Sequence, residues 1–319
     1  MIHHVFACKS NIGDWLSAQG IQALLAPHPV TEYLCDEPFV AETLERLAQA
    51  DAHDVIVIGG GGLLMDYFAP FWQGLVPIVE RVPVCIWGVG YCDLKESDSR
   101  TAPAVLKRIL RASQLTVVRD RLSHQLLADW QLPEPVACPA TAVLHPPEAP
   151  GSGLLHVDHY DVVGSRVYET MAAMAQAFAA RTGRAYRQTD NQIRDGDARE
   201  LAERLERYVA ADLVLTSRLH GCIIGLALGR KVMAVSGDRK LEAFMSEVGL
   251  ASWVLDPKDV DHLPERLEAL PSQPSVQDRL EMIRGANRSV AARIRGLTER
   301  LQAACHCAAS SSTAGAMRA

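Results

Sequence analysis

Residues 213–228 read Leu-Val-Leu-Thr-Ser-Arg-Leu-His-Gly-Cys-Ile-Ile-Gly-Leu-Ala-Leu, an apolar strand followed by a polar turn and an apolar helix. A strand without polar alternation is typical of a parallel sheet that helices cover on both faces. In open α/β sheets, ligands bind where such strands end. The stretch therefore predicts both a fold class and the place of a site.

The same alternation of strand and helix recurs along most of the chain and predicts two doubly wound α/β domains. In the first half, the predicted strands are residues 2–7, 31–34, 54–58, 82–87, 115–118 and 135–138. In the second half, they are residues 154–157, 185–188, 213–216, 231–235 and 252–255.

A proline- and glycine-rich stretch, residues 146–153, predicts the boundary between the domains. We therefore expect an N-terminal Rossmann-like domain over residues 1–147 and a C-terminal Rossmann-like domain over residues 154–306. A long helix over residues 276–304 is predicted to lie across the surface. The Ala/Ser/Thr/Gly-rich residues 308–319 are predicted to be disordered.

Composition restricts the class of protein. The chain has 319 residues, of which 48% are hydrophobic and 22% are charged, as in a globular enzyme of two domains. Its formal net charge of −6 argues against a nucleic-acid partner, since a nucleic-acid binder carries a basic stripe. Pockets for a small anion remain compatible with this balance.

The chain carries no sign of secretion or membrane insertion. Residues 1–8 lack a basic start followed by a long apolar run, and no stretch of about 18 apolar residues occurs. The eight cysteines form no C-x-x-C pair, which favours reduced thiols. We expect a cytoplasmic protein, while attachment to the inner face of the membrane and oligomerisation stay open.

Two segments contain metal-ligand residue types, but neither predicts a metal site. Cys305-His306-Cys307 offers three ligands near the end of the chain. In residues 156–161, His and Asp side chains alternate along a predicted strand end and so point to different faces. We predict no metal, and acceptor contacts or loop polarity remain the readings of residues 156–161.

Arg218 and His220 form the first candidate site. The free backbone N–H groups and dipole of a helix amino end favour negative charge. Arg218 can form paired hydrogen bonds to a carboxylate or phosphate, and His220 can move a proton near neutral pH. The structural alternative is an ion pair for Arg218 and a helix cap for His220.

Three glycine-containing turns follow predicted strands of the first half and should line one rim. Residues 59–62 are four glycines, which allow positive φ and close approach of a ligand. They match neither the dinucleotide fingerprint nor the P-loop, so NAD is not expected. The other turns are Gly88-Val89-Gly90 and Asn11-Ile12-Gly13-Asp14. Asp14 is either a helix N-cap or a contact to a hydroxyl-rich acceptor.

Arg119 follows residues 115–118 and belongs to the same rim. It is either part of a charged helix start satisfied by Asp120 or a second guanidinium that faces Arg218 across a cleft. Two such groups suit a ligand with two separate anionic groups.

Taken together, these motifs resemble the polysaccharide pyruvyl transferase family over roughly residues 10–250. The matching pieces, in the family's order, are Asn11-Ile12-Gly13-Asp14, Gly59 to Gly62, Gly88-Val89-Gly90, Val118-Arg119-Asp120, Ser217-Arg218-Leu219-His220-Gly221, Leu226-Ala227-Leu228-Gly229 and Lys240 ahead of Glu247-Val248-Gly249-Leu250. The ordered set is more specific than any one motif.

The resemblance implies a GT-B-like pair of domains, with the donor-binding site in the C-terminal one. Such enzymes move the enolpyruvyl group of phosphoenolpyruvate onto a sugar, form a pyruvate ketal and release phosphate. The acceptor would be a sugar of a cell-surface polysaccharide or glycan precursor, with a lipid link left open. No cofactor is expected, because phosphoenolpyruvate is itself the donor substrate.

By this resemblance, Arg119 and Arg218 match the arginines that hold phosphoenolpyruvate, and His220 matches the catalytic histidine. The further residues expected at the substrates are Asn11, Gly13, Asp14, Gly60, Gly61, Gly88, Gly90, Ser217, Leu219, Gly221 and Lys240. Two departures concern the acceptor side: Cys138-Pro139-Ala140 replaces the family's frequent Asp-Pro, and residues 154–161 lack the usual polar or basic run.

Two other classes fit the same architecture. One is a GT-B glycosyltransferase with a nucleotide-sugar donor, which would more usually show an acidic residue for the ribose and a base-stacking loop. The other is a non-catalytic protein that binds a glycan or an anion.

Overall fold

The computed structural model describes residues 1–92, 103–158 and 160–316, with side chains omitted at 103–104, 160–161 and 306–316. The first lobe holds a five-stranded sheet. Its strands are β1 (Ile2–Phe6), β2 (Val30–Leu34), β3 (Val55–Ile58), β4 (Val84–Val89) and β5 (Leu115–Val118). Its helices are α1 (Ile12–Leu25), α2 (Val40–Ala48), α3 (Ala69–Val79), α4 (Pro103–Ala112) and α5 (Arg121–Leu126).

The second lobe repeats this arrangement. Its strands are β6 (Gly153–Val157), β7 (Ala185–Thr189), β8 (Leu213–Thr216), β9 (Lys231–Val235) and β10 (Val254–Leu255). Its helices are α6 (Tyr160–Val163), α7 (Ser165–Thr182), α8 (Ala198–Ala210), α9 (Leu219–Ala227), α10 (Arg239–Glu247), α11 (Leu263–Ala269) and α12 (Gln277–Ala316). Short 3-10 helices occupy Asp66–Phe68, Ala128–Trp130, Pro139–Ala142, Ala251–Trp253, Pro257–His262 and Leu270–Ser272.

All the strand pairs within the two sheets are parallel, and the two sheets share one topology. The orders are β2-β1-β3-β4-β5 and β10-β9-β8-β6-β7. In this doubly wound order, the crevice opens where the winding reverses, between β1 and β3 and between β6 and β8. The predicted pair of doubly wound α/β domains is thereby confirmed.

Two predictions about elements differ from the structure. Residues 135–138 form no strand, since Pro133 and Pro135 lack N–H donors and only Val136 bonds to β5, through the carbonyl of Val118 at 3.0 Å. The last helix continues to Ala316, where disorder was predicted from residue 308. An alanine-rich segment can extend a helix that is already nucleated. Residues 317–319 lie outside the described part.

A short backbone pairing joins the lobes, and we call it the lobe bridge: residues 10–12 against residues 191–193. The N–H of Ile12 donates to the carbonyl of Asn191 at 2.9 Å, and the N–H of Ile193 donates to the carbonyl of Ser10 at 2.8 Å. Asn11 and Gln192 thereby form an antiparallel bridge. The start of α1 is thus fixed to the loop after β7.

Helix α12 packs against both lobes. Its first turns contribute Leu280 and Ile283, and the preceding residue Val276 joins them, in a core shared with the second lobe. Val290 and Ile294 pack under the first sheet. Among the described residues, no helix combines the length and the apolar character that a membrane crossing needs.

Asn287 makes three hydrogen bonds, two of which tie α12 to the first lobe. Its Oδ1 accepts from Trp87 Nε1 at 3.0 Å, and its Nδ2 donates to the carbonyls of Ala137 at 2.9 Å and Ile283 at 3.0 Å. All these groups are buried, so a group that lost its partner could not form a hydrogen bond to water instead.

Replacing Asn287 by alanine should therefore destabilise the protein by about 2–4 kcal/mol, because a buried indole N–H and a buried carbonyl lose their partners. Chemical denaturation followed by tryptophan fluorescence measures the change. Ser289→Ala is the matched control on the same helix, since its exposed hydroxyl donates only to Gly285 of its own helix. Equal stability of the two variants would contradict the assignment.

Candidate active site

A cavity of about 290 Å³ lies where the carboxyl ends of the two sheets face each other. Both lobes contribute to its wall, and the wall contains three cations, two carboxylates and an imidazole. The charged and titratable residues of the wall are Asp14, Arg119, Arg218, His220, Asp238 and Lys240. A small polyanionic ligand fits this combination of size and charge.

The turn between β8 and α9 is held by hydroxyl groups of the turn itself. Thr216 Oγ1 accepts from the N–H of Arg218 at 3.0 Å and donates to the carbonyl of Val157 at 2.6 Å. Ser217 Oγ donates to Asp158 Oδ1. These bonds fix the backbone from which Arg218 and His220 enter the cavity.

Neither structural alternative for this turn is found. Arg218 is the N-cap residue of α9 and makes no side-chain cap, while His220 lies inside the first turn of the helix. Among the described residues, Arg218 forms no ion pair with a carboxylate. Its guanidinium therefore lines the cavity as a ligand-binding group would.

His220 packs closely against the backbone of α1 at Gly13. A Cβ added to Gly13 would come within 2.1 Å of ring atoms of His220, so only glycine fits there. His220 Nδ1 is 3.9 Å from Asp14 Oδ1, and its Nε2 is 3.8 Å from Cys138 Sγ. The imidazole is thus held between a carboxylate and a thiol.

Asp14 belongs to the first turn of α1 but is not its N-cap. Asn11 takes that place, since its side chain accepts from the N–H of Gly13 at 2.9 Å. Asp14 instead lies against the glycine turn after β3. There Gly61 has φ of +117°, and a Cβ would approach Asp14 Oδ1 to 3.0 Å. The carboxylate is left to face the cavity.

Arg119 combines both readings that the sequence left open. Its Nε contacts Asp120 Oδ2 at 3.4 Å, and Asp120 also caps α5 by accepting from the N–H of Ser123 at 2.7 Å. However, Arg119 Nη2 is buried without a partner among the described residues. A buried unpaired guanidinium donor on a cavity wall calls for an anionic ligand.

Lys240 reaches from the second lobe to the first. Its Nζ lies 2.7 Å from Asp238 Oδ2 and 3.0 Å from Cys92 Sγ. Burial alone would lower the pKa of Lys240, but Cys92 and Asp238 outweigh it and raise the pKa. The ammonium therefore remains charged over the physiological range.

Burial and the cations set the charge state of the central pair. Burial lowers the pKa of His220 well below 6.5, and Arg119, Lys240 and Arg218 lower it further. Burial raises the pKa of Asp14 to about 6, although the same three cations oppose the shift. At pH 7, His220 is neutral and Asp14 is mostly ionised.

The strand order gives the cavity two chemically different ends. Arg119 follows β5 and Lys240 follows β9, and we call their side the cationic end. Asn11 follows β1 and Asn191 follows β7, on the opposite side of the same sheets; we call it the amide end.

The structure brings together the predicted side chains but not the predicted glycines. The predicted residues on the cavity wall are Asn11, Asp14, Arg119, Ser217, Arg218, Leu219, His220 and Lys240. Those behind the wall are Gly13, Gly60, Gly61, Gly88, Gly90 and Gly221. Their predicted contact with substrate stays a prediction. The structure shows them packed against their neighbours: a Cβ added to Gly90, for example, would lie 2.8 Å from Arg119 Nη2.

Sequence reasoning missed several residues of the site. They are Cys92, Asn191 and Asp238 on the wall. Cys138 and Asp158, which the sequence linked only to the acceptor side, contact His220 and Ser217 behind it. Each follows a strand or lies in a loop. Arg119 was singled out because it follows a predicted strand, and the same reasoning applies to Asn191 and Asp238. No sequence pattern showed that the loop after β7 meets α1.

Residues 156–158 are linked by side-chain contacts to the turn that carries Ser217. His156 contacts Tyr186 Oη at 3.1 Å and Asp158 Oδ2 at 3.4 Å, and Asp158 in turn accepts from Ser217. Within the described residues no cluster suited to a metal ion is found. His159 and the side chains of Asp161 and Cys307 lie outside the described part.

The polysaccharide pyruvyl transferase model matches residues 11–239 of this chain. That span includes the lobe bridge except Ser10 and the charged residues of the cavity wall except Lys240. The chain belongs to the polysaccharide pyruvyl transferase family. It is therefore an enzyme that transfers pyruvyl groups in the modification of polysaccharides. No match is found among the curated proteins.

Solved structures show the fold of this pyruvyl transferase family member. It superposes on a putative UDP-N-acetylglucosamine 2-epimerase from Listeria monocytogenes with a TM-score of 0.54 and 9% identity, over 88% of this chain and 89% of that one. The UDP-GlcNAc 2-epimerase from Methanocaldococcus jannaschii, in complex with UDP-GlcNAc and UDP, gives 0.51 and 12% identity, over 86% and 93%. The glycosyltransferase of kitacinnamycin gives 0.50 and 14%, over 94% and 97%. These likenesses confirm the GT-B-like architecture.

The raised pKa of Asp14 predicts a pH-dependent cost in stability. Because the folded protein holds this proton up to about pH 6, against a usual value of 3.8, stability falls as pH rises between those values. Asp14→Asn should therefore be more stable than the parent at pH 7.5, by up to about 3 kcal/mol, and nearly equal to it at about pH 3.

Denaturant titrations of both proteins across this pH range measure the difference. Asp54→Asn is the control of opposite sign. The amino terminus and His3 hold the pKa of Asp54 below its usual range although burial opposes them, so this variant should lose stability at pH 7.5. A destabilised Asp14→Asn protein at pH 7.5 would contradict the prediction.

Proposed function

We propose that this enzyme transfers the enolpyruvyl group of phosphoenolpyruvate to two hydroxyls of one sugar, forming a cyclic pyruvate ketal and releasing phosphate. The observation that carries the proposal is the convergence of Arg119, Arg218 and Lys240 from both lobes on one cavity beside a neutral imidazole. Membership of the family supports the pyruvyl unit.

The cations support the choice of donor. In phosphoenolpyruvate, the carboxylate and the phosphate are both attached to the central carbon. The molecule therefore needs two separate anion contacts. Arg119 offers an unpaired Nη2, and Arg218 lies at the amino end of α9, whose dipole adds to its charge. Lys240 supplies a third positive charge between the lobes.

The proton balance supports a role for His220. The methylene carbon of the donor gains a proton, one sugar hydroxyl attacks the adjacent carbon, and the bond to phosphate breaks. The second hydroxyl then closes the ring. The two hydroxyls lose two protons in all; one ends on the new methyl group and the other leaves with phosphate.

A neutral imidazole can accept the proton of the attacking hydroxyl. The low pKa of His220 keeps it unprotonated at pH 7, and Asp14 lies 3.9 Å from its Nδ1. The carboxylate favours the imidazolium that forms when the proton arrives. His220 can then return the proton to the methylene carbon or the departing phosphate.

The proposal includes the acceptor and the place of reaction. The acceptor is a sugar with two neighbouring free hydroxyls in a polysaccharide or glycan precursor, free or lipid-linked. The donor is a product of cytoplasmic metabolism, which places the reaction in the cytoplasm. No cofactor enters this chemistry, since the donor carries its own leaving group.

Phosphate release with phosphoenolpyruvate and a panel of p-nitrophenyl hexosides tests the reaction, and mass spectrometry tests for the ketal. Binding of phosphoenolpyruvate without release in any reaction would indicate a binding protein. Tighter binding of UDP-GlcNAc than of phosphoenolpyruvate in calorimetry would instead indicate a nucleotide-sugar glycosyltransferase.

His220→Ala should lower turnover by about 10²–10⁴-fold, because general acid–base help is lost. Binding of phosphoenolpyruvate should persist, since the three cations remain. Steady-state phosphate release measures the first quantity and titration calorimetry the second. His262→Ala, an exposed histidine far from the cavity, is the matched control. Normal turnover of the His220 variant would remove the imidazole from the mechanism.

Arg119→Ala and Arg218→Ala should each weaken phosphoenolpyruvate binding by roughly 10–150-fold, which corresponds to about 1.5–3 kcal/mol for a hydrogen bond to a charged group. Titration calorimetry without acceptor measures the affinity. Arg121→Ala is the control, because this arginine is exposed and lies two residues from Arg119. Unchanged affinity in both site variants would place the donor elsewhere.

A further inference from the structure

Asn191 has a buried hydrogen-bond donor, its side-chain Nδ2, that the proposed chemistry leaves unused. Its side chain is fully buried on the wall of the cavity. Its Oδ1 accepts from Tyr208 Oη at 2.9 Å, which fixes the orientation of the amide. Its Nδ2 has no partner among the described residues. An unpaired buried donor costs free energy unless a ligand or water satisfies it.

The backbone places this amide rigidly. The carbonyl of Asn191 accepts from Ile12 at 2.9 Å, and the neighbouring residues complete the lobe bridge. Tyr208 is itself fully buried on α8, so its hydroxyl cannot follow a moving amide. The donor is therefore preorganised, as a specificity contact requires.

The side-chain amide of Asn191 lies at the other end of the cavity from the cations proposed to bind phosphoenolpyruvate. Asn191 follows β7 and contacts the start of α1, whereas Lys240 follows β9 and contacts Cys92 after β4. The cationic end thus offers the charges of Arg119 and Lys240, and the amide end offers the neutral side chains of Asn11 and Asn191. Asp14 lies beyond Asn11 in the first turn of α1. A neutral N–H suits an alcohol or ring oxygen, which carries no charge to be compensated.

We propose that Asn191 is a specificity-determining residue whose Nδ2 donates a hydrogen bond to an oxygen of the acceptor sugar at the amide end of the cavity. This inference rests on the proposed function, since it assigns the acceptor to the end that phosphoenolpyruvate leaves free. Asp14, on the same helix start, then lies between the acceptor and His220.

The first experiment compares Asn191→Ala with the parent in steady-state phosphate release, with the best p-nitrophenyl hexoside of the panel as acceptor. The acceptor KM should rise roughly 3- to 10-fold, as for a lost neutral hydrogen bond. Calorimetry without acceptor should show unchanged phosphoenolpyruvate affinity. Gln192→Ala is the matched control, because this adjacent amide side chain is exposed.

Monodeoxy analogues of the same hexoside identify the partner oxygen. For the analogue that lacks this oxygen, the parent should lose affinity and Asn191→Ala should lose none further. A purely structural role of Asn191 would instead lower activity equally with every analogue. Tyr208→Phe should raise the acceptor KM less than Asn191→Ala, since it frees the amide to rotate but keeps the donor.

A second variant distinguishes the loss of the acceptor contact from a folding defect of Asn191→Ala. Asn191→Leu with Tyr208→Phe removes both partners of the buried bond at similar volume, which is nearly neutral for stability. It should fold, bind phosphoenolpyruvate normally and still show the raised acceptor KM.

The possible outcomes distinguish a failure of this inference from a failure of the proposed function. A parent enzyme that releases no phosphate with any hexoside overturns the proposed function and this inference with it. An active parent with an unchanged acceptor KM in Asn191→Ala overturns the inference alone. A weakened affinity for phosphoenolpyruvate in that variant would assign the amide to the donor, and so would also overturn it.

Discussion

The lobe bridge is the constraint on which the site depends. Two sheets that are separate in sequence become one enzyme only if their carboxyl ends face each other, and the paired backbones of residues 10–12 and 191–193 hold them so. The bridge lies at the start of α1, the helix that carries Asp14 and leaves room at Gly13 for His220. Main-chain hydrogen bonds between the lobes therefore help to set the distance between Asp14 of the first lobe and His220 of the second.

The site combines opposing electrostatic effects in a small volume. Burial drives both His220 and Asp14 towards their neutral forms, whereas the cations keep Asp14 ionised and keep His220 unprotonated. An arriving dianion would neutralise the cations and raise the pKa values of both groups. Under the proposed function, binding of the donor would thus prepare the imidazole to accept a proton.

Much of the fold could be predicted because its signal is local. Continuous apolar strands predicted both sheets, and the turn at Ser217 to His220 predicted the site. The prediction over residues 135–138 was wrong because hydrophobicity outweighed two prolines. The packing of the glycines could not be predicted, because sequence shows that a Cβ is absent but not which neighbour occupies its space. The place of Asn191 after a strand was readable from the sequence, but its contact with the start of α1 was not, since the two are distant in the chain.

Helix α12 has a consequence for the shape of the cavity. It packs under the first sheet and into the core of the second lobe, and Asn287 bonds to Trp87 within the first. A wide hinge opening would have to break the lobe bridge on one side and peel this helix away on the other. The spacing of the two sheets is therefore held by α12 as well as by the lobe bridge, so the shape of the cavity depends on residues at both ends of the chain.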